Sequence, residues 1–108
     1  SCLSNMNKLI TILGFAQKAG KIASGETATE QVINRKKACL VLVALDASAG
    51  TSAKFMELCL KNNIPVFNAG LKLELGNAIG RSPRSCIAFL DNGFARAAIE
   101  ALKATTEV

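Results

Sequence analysis

Apolar positions along this chain alternate between two spacings. From Asn5 to Ala19, Leu9, Ile12, Leu13 and Ala16 recur every three or four residues, which predicts an amphipathic helix stopped by Gly20. Lys21–Ser24 reads as a short strand and Gly25 to about Arg35 as a second helix. The run Ala38–Ala44 is continuously apolar, as in a strand covered on both faces. Asp46 and Ser48 supply capping oxygens ahead of a third helix, Thr51–Asn63, with Phe55, Leu58 and Cys59 facing inward. Asn63–Phe67 predicts a turn into a short strand, with Pro65 at its first position, where a missing N–H is tolerated. Leu71–Gly80 reads as helix, Arg81–Arg84 as loop and Ser85–Leu90 as a further buried strand. Asp91-Asn92-Gly93 caps a last helix, Phe94 to about Ala104.

Helices alternating with strands across short connections predict an α/β fold: a three-layer α/β/α sandwich, a four-stranded mixed sheet with helices on both faces. Residues 6–104 form one domain. Met6-Asn7-Lys8 resembles a natural start, so residues 1–5 are expected to be an appended remnant.

Composition narrows the function. Thirteen Lys and Arg against eight Asp and Glu give the 108-residue chain a net charge of +5, which favours a polyanionic partner. There is no histidine, and Cys2, Cys39, Cys59 and Cys86 form no C-x-x-C pair, so no metal site and no cofactor is expected. Unpaired core thiols suit a reducing cytoplasm. No apolar run is long enough to span a membrane, and the first residues lack the features of a signal peptide. A membrane partner is therefore not expected.

Catalytic signatures are missing as well. Without histidine the common route to an activated nucleophile is closed, and neither phosphate-binding glycine motif is present. Asp46 ends the Leu40–Leu45 strand, where open α/β sheets place ligands, and could accept a phosphoryl group. That chemistry also wants further carboxylates for Mg²⁺; capping the turn toward the third helix is the simpler role for Asp46. The protein is expected not to be an enzyme.

Two elements could hold an anion. A helix start at Gly25 presents unpaired N–H groups without an obstructing Cβ, followed by Glu26, Thr27, Ala28 and Gln31, with Arg35 one turn beyond Gln31. The ordinary alternative is a helix start capped by Ser24. In Arg81-Ser82-Pro83-Arg84, two arginines straddle a stiffened loop that can contact phosphate or an unpaired base, or can simply be a solvated turn. Arg35-Lys36-Lys37 could likewise serve only the helix dipole. With no Tyr or Trp, an aromatic stacking platform is not expected.

The ordered set Ala19-Gly20-Lys21-Ile22-x-x-Gly25, Asn34-Arg35, Leu40–Ala44 with Asp46, Asn63-Ile64-Pro65-Val66, and Leu75-Gly76-x-Ala78-Ile79-Gly80-Arg81 resembles the kink-turn-binding ribosomal protein superfamily, in particular its small bacterial YlxQ-like branch. Asp91-x-Gly93-Phe94-Ala95 is similar to that branch as well, and the resemblance runs from Met6 to about Leu102. It implies an α/β/α sandwich that docks the start of its second helix at the tandem G·A pairs of a sharply bent RNA. The family pattern there is Gly-x-Asn-Glu-x-x-Lys with an arginine four residues on. Gly25 and Arg35 match it, while Thr27, Ala28 and Gln31 replace the Asn, Glu and Lys. The missing carboxylate removes a guanine contact of the kind that contributes about 1–3 kcal/mol of discrimination. Glu26, in the same turn, is a substitute acceptor.

These readings converge on a cytoplasmic, non-enzymatic protein that recognises a kink-turn or similar bent RNA, ribosomal or non-coding, beside protein partners of a ribonucleoprotein. The expected RNA-binding residues are Lys21, Gly25, Glu26, Thr27, Ala28, Gln31, Arg35, Arg81, Ser82 and Arg84. The alternative is a protein-interaction module on the same fold that has lost specific RNA recognition.

Overall fold

The computed structural model describes residues 2–106, and the side chains of residues 5–103. The elements run α1 (Cys2–Lys18), β1 (Ile22–Ser24), α2 (Glu26–Asn34), β2 (Leu40–Val43), α3 (Ala49–Lys61), β3 (Val66–Asn68), α4 (Lys72–Ala78), β4 (Cys86–Phe89) and α5 (Asn92–Thr106). Strand order is β1-β4-β2-β3. β4 runs antiparallel to both neighbours and β2 parallel to β3, so the sheet is mixed.

Pleating explains the continuous apolar runs. Leu40, Leu42, Ile87 and Phe89 turn to one face and pack with Leu9 and Leu13 of α1, Leu75 of α4, and Ala95 and Ala98 of α5. Val41, Val43, Cys86 and Ala88 turn to the other face and pack with Ile33 of α2 and with Phe55 and Cys59 of α3. The two central strands are buried throughout, whereas the edge strands β1 and β3 are short and end in Ser24 and Asn68. This is the three-layer α/β/α sandwich that the alternation predicts.

Several boundaries differ from expectation. α1 begins at Cys2 rather than Asn5, since residues 2–5 contain no Gly or Pro to stop a helix. α3 begins and ends two residues early. Ser48 Oγ accepts the Thr51 N–H (3.2 Å), so Ser48 is the cap. At its end Asn63 turns left-handed (φ 58°), letting the Ile64 N–H reach the Cys59 carbonyl (2.9 Å). Lys36 (φ 60°) closes α2 likewise, with the Lys37 N–H on the Val32 carbonyl (2.9 Å). Neither stop carries the glycine that would mark it in the sequence. α5 begins at Asn92 because Asp91 Oδ2 accepts the Phe94 N–H (2.9 Å).

Asp46 serves a different helix from the one expected. Its Oδ1 accepts the Lys72 N–H (2.8 Å) at the start of α4, leaving α3 to Ser48. The parallel pairing of β2 with β3 sets the two strand-to-helix turns side by side, and the Leu45 N–H bonds the Gly70 carbonyl (2.8 Å). Among the described residues, no helix is long and apolar enough to cross a membrane.

Candidate nucleic-acid interface

Because β1, β2 and β3 each lead into a helix at the same edge of the sheet, the starts of α2, α3 and α4 share that edge with the beginning of the antiparallel β4. Ligands of open α/β sheets bind at such an edge. The α2 start is built on Gly25, at φ 89° and ψ 162°, a backbone region essentially confined to glycine. Its N–H bonds the Cys86 carbonyl (3.0 Å), which seats the turn on β4. Among the described residues no side chain caps α2, so the N–H groups of its first turn face no internal acceptor of that kind there.

Ser24 is not the cap. Its Oγ accepts the Arg84 Nε–H (3.1 Å) instead, because the left-handed Gly25 stands between Ser24 and the helix. Arg84 Nη1 also donates to Ser82 Oγ (2.7 Å), the Ser82 carbonyl (3.1 Å) and the Pro83 carbonyl (3.3 Å). α4 secures the other side of this loop. The Arg81 N–H reaches the Gly76 carbonyl (2.8 Å) and the Arg84 N–H the Lys72 carbonyl (3.0 Å). A Cβ on Gly76 would collide with the Ser82 carbonyl, so only glycine lets the loop lie this close.

Between α2 and this loop lies an open cleft of about 500 Å³, lined by Ser24, Gly25, Glu26, Thr27, Ala28 and Gln31 on one side and Pro83, Arg84 and Ser85 on the other. Six of the ten residues singled out from the sequence are therefore brought together: Gly25, Glu26, Thr27, Ala28, Gln31 and Arg84. Lys21, Arg35, Arg81 and Ser82 are exposed and do not line the cleft. Arg35 continues the exposed stripe of Thr27 and Gln31, opposite buried Thr29 and Ile33. Ser24, Pro83 and Ser85 line the cleft too, beyond the residues expected to bind RNA; only knowledge that β1 pairs with β4 brings them together.

Charge is sparse inside the cleft. Among the described residues, Glu26 and Arg84 are the only acidic or basic side chains that line it. Glu26 Oε2 accepts the Thr51 hydroxyl (3.3 Å), and Thr51 Oγ1 accepts from Ser48 Oγ (3.0 Å), a chain that leans the carboxylate toward the start of α3. The lining is otherwise short polar side chains and backbone, suited to hydrogen-bonding a base edge, with cations placed outside it.

The other reactive groups are structural. Burial pushes the Cys59 thiol up to about 11, with the neighbouring Cys86 adding to the effect, and burial raises Cys86 and Cys39 too. Such thiols stay protonated and poorly reactive. Lys54 is raised chiefly by its hydrogen bond to Glu30, a 2.8 Å surface ion pair between α3 and α2. Among the described residues no three of Cys, Asp or Glu group as metal ligands would.

Known proteins with this pattern bear on the site. Residues 7–99 match the family model of the ribosomal protein L7Ae/L30e/S12e/Gadd45 family. The chain is 36% identical over 92 residues to the RNA-binding protein YlxQ of Enterococcus faecium, covering 85% of this chain and 88% of that one. It is 35% identical over 91 residues to YlxQ of Bacillus subtilis (strain 168), covering 84% and 91%. A Bacillus halodurans protein of unknown function superposes with a TM-score of 0.86 at 30% identity, covering 89% of this chain and 97% of the other. The Giardia lamblia 15.5kD RNA binding protein shares the fold, with a TM-score of 0.80 at 21% identity over 95% and 88% of the two chains. With a family match over most of its length and relatives above 30% identity, the chain belongs to the ribosomal protein L7Ae/L30e/S12e/Gadd45 family.

Proposed function

We propose that this protein is a non-enzymatic binder of structured RNA and that it prefers a sharply bent duplex such as a kink-turn, in a ribosomal or other ribonucleoprotein setting. The observation that carries this reading is the uncapped start of α2 facing the Arg81–Arg84 loop across a weakly charged cleft, in a chain of net charge +5. The printed names of the two YlxQ relatives support RNA as the ligand class.

In this reading the division of labour follows the chemistry of the groups. N–H groups in the first turn of α2 donate to a phosphate oxygen or a base acceptor, and Thr27 and Gln31 hydrogen-bond base edges. Glu26 accepts from a base donor. Ala28 keeps that side of the cleft open. Lys21, Arg35 and Arg81, outside the cleft, meet phosphates, while Arg84 in the cleft wall and Ser82 beside it in the loop face an unpaired nucleotide at the bend of the RNA. A bent RNA only partly populated on its own is stabilised by as much as the protein favours it over the open form.

Arg35→Ala and Arg81→Ala test the reading. Each should weaken binding to a kink-turn RNA and reduce the magnitude of the salt slope, d log K/d log[salt], by about 1. Affinity and slope unchanged in both would refute the assignment of this face to RNA.

A further inference from the structure

The two arginines of the Arg81–Arg84 loop differ in surroundings. Arg81 is exposed, and no side-chain hydrogen bond or ion pair engages it among the described residues. Arg84 is half-buried, and its Nε and Nη1 serve four acceptors, Ser24 Oγ, Ser82 Oγ and the carbonyls of Ser82 and Pro83. Its own N–H is held by the Lys72 carbonyl, so backbone and side chain both fasten the loop. Ser24 immediately precedes Gly25, and Ser82 lies in the opposite loop, beside the lining residues Pro83 and Arg84. One guanidinium thus spans the β1–α2 turn and the α4–β4 loop.

We propose that Arg84 is a positioning residue for RNA binding: it staples the loop to the β1–α2 turn and holds the cleft at its working width, while Arg81 supplies the phosphate charge of the same loop. The inference rests on the RNA-binding reading above, and it separates two arginines that sequence reasoning gave one role. The geometry favours a planar fork over a point charge. Nε and Nη1 lie at a fixed separation and direct bonds to different chain segments, which a lysine ammonium cannot reproduce. A site held ready before the ligand arrives loses less ordering freedom on binding. Gly76 complements the staple, because its missing Cβ admits the loop backbone on the α4 side.

The staple is tested in two independent ways. The first follows the Arg84 Nε–H of the RNA-free protein by NMR. It should exchange slowly with water in the wild type and faster in Ser24→Ala, which removes only one oxygen; fast exchange in the wild type would overturn the staple. The second measures affinity for a kink-turn RNA across salt. Arg84→Lys should bind roughly tenfold more weakly with an unchanged salt slope, the size expected for lost hydrogen bonds to a charged group. Ser24→Ala should weaken binding less, and the two substitutions together should be less than additive. Wild-type affinity in Arg84→Lys, or a slope reduced by about 1 in Arg84→Ala, would make Arg84 a phosphate contact and overturn the proposal. A protected Nε–H in a protein that binds no RNA would sink the RNA reading and leave the staple standing.

Discussion

The starts of four helices in this protein differ in chemistry. Ser48 caps α3, Asp91 caps α5, and α4 has Asp46 on the Lys72 N–H with Glu74 on the Leu71 N–H (2.9 Å). α2 has glycine at the cap and no side-chain acceptor. A capping side chain is better than glycine at that position by only a few tenths of a kcal/mol, against about 0.5–2 kcal/mol over alanine, so α2 forgoes little stability by having Gly25 there. What it keeps is a set of N–H donors and a surface without a Cβ, opening on a cleft. Three capped starts build the scaffold, and the uncapped one is free to meet a ligand.

The largest expected effect is on the wall opposite α2. Gly76→Ala drives a Cβ into the Ser82 carbonyl, a backbone atom with little freedom to retreat. It should lower stability by about 1–3 kcal/mol in urea unfolding and weaken RNA binding as the loop leaves the cleft. Next is Gly25→Ala, which forces an L side chain to φ 89°; the strain should cost about 1–3 kcal/mol, with RNA affinity falling alongside. Asp91→Ala should cost about 1 kcal/mol of stability as α5 loses its cap, yet bind RNA as the wild type does. If it bound RNA as poorly as Gly25→Ala, the contrast between scaffold caps and ligand-facing start would be broken. The smallest effect belongs to the exposed Glu30–Lys54 pair between α2 and α3. Glu30→Gln should leave the urea midpoint unchanged, because water and salt screen such a pair.

Much of the fold was legible in the sequence. The alternation of spacings located every helix and strand, and the continuously apolar runs at Leu40–Val43 and Cys86–Phe89 marked the two strands covered on both faces. Helix ends were less legible where Lys36 and Asn63 adopt left-handed backbones without glycine. Asp46 was assigned to the nearer helix, because which strand-to-helix turn lies beside it depends on the β2–β3 pairing, a contact distant in sequence. The same limit governed the site. The α2 side of the cleft is a local pattern and could be read directly. Ser24 and Arg84 lie 60 residues apart and meet because β1 pairs with β4, so the bonds that hold Arg84 within the protein are not legible in the local sequence.

The most direct test titrates the wild-type protein against a kink-turn RNA and a straight duplex of equal length at two salt concentrations. The kinked RNA should bind more tightly, with a preference that persists at the higher salt, because the cleft reads shape and base edges while cations outside it meet phosphate. Equal affinity for both RNAs, vanishing as salt rises, would reduce the protein to a basic surface and contradict the role given to the open start of α2.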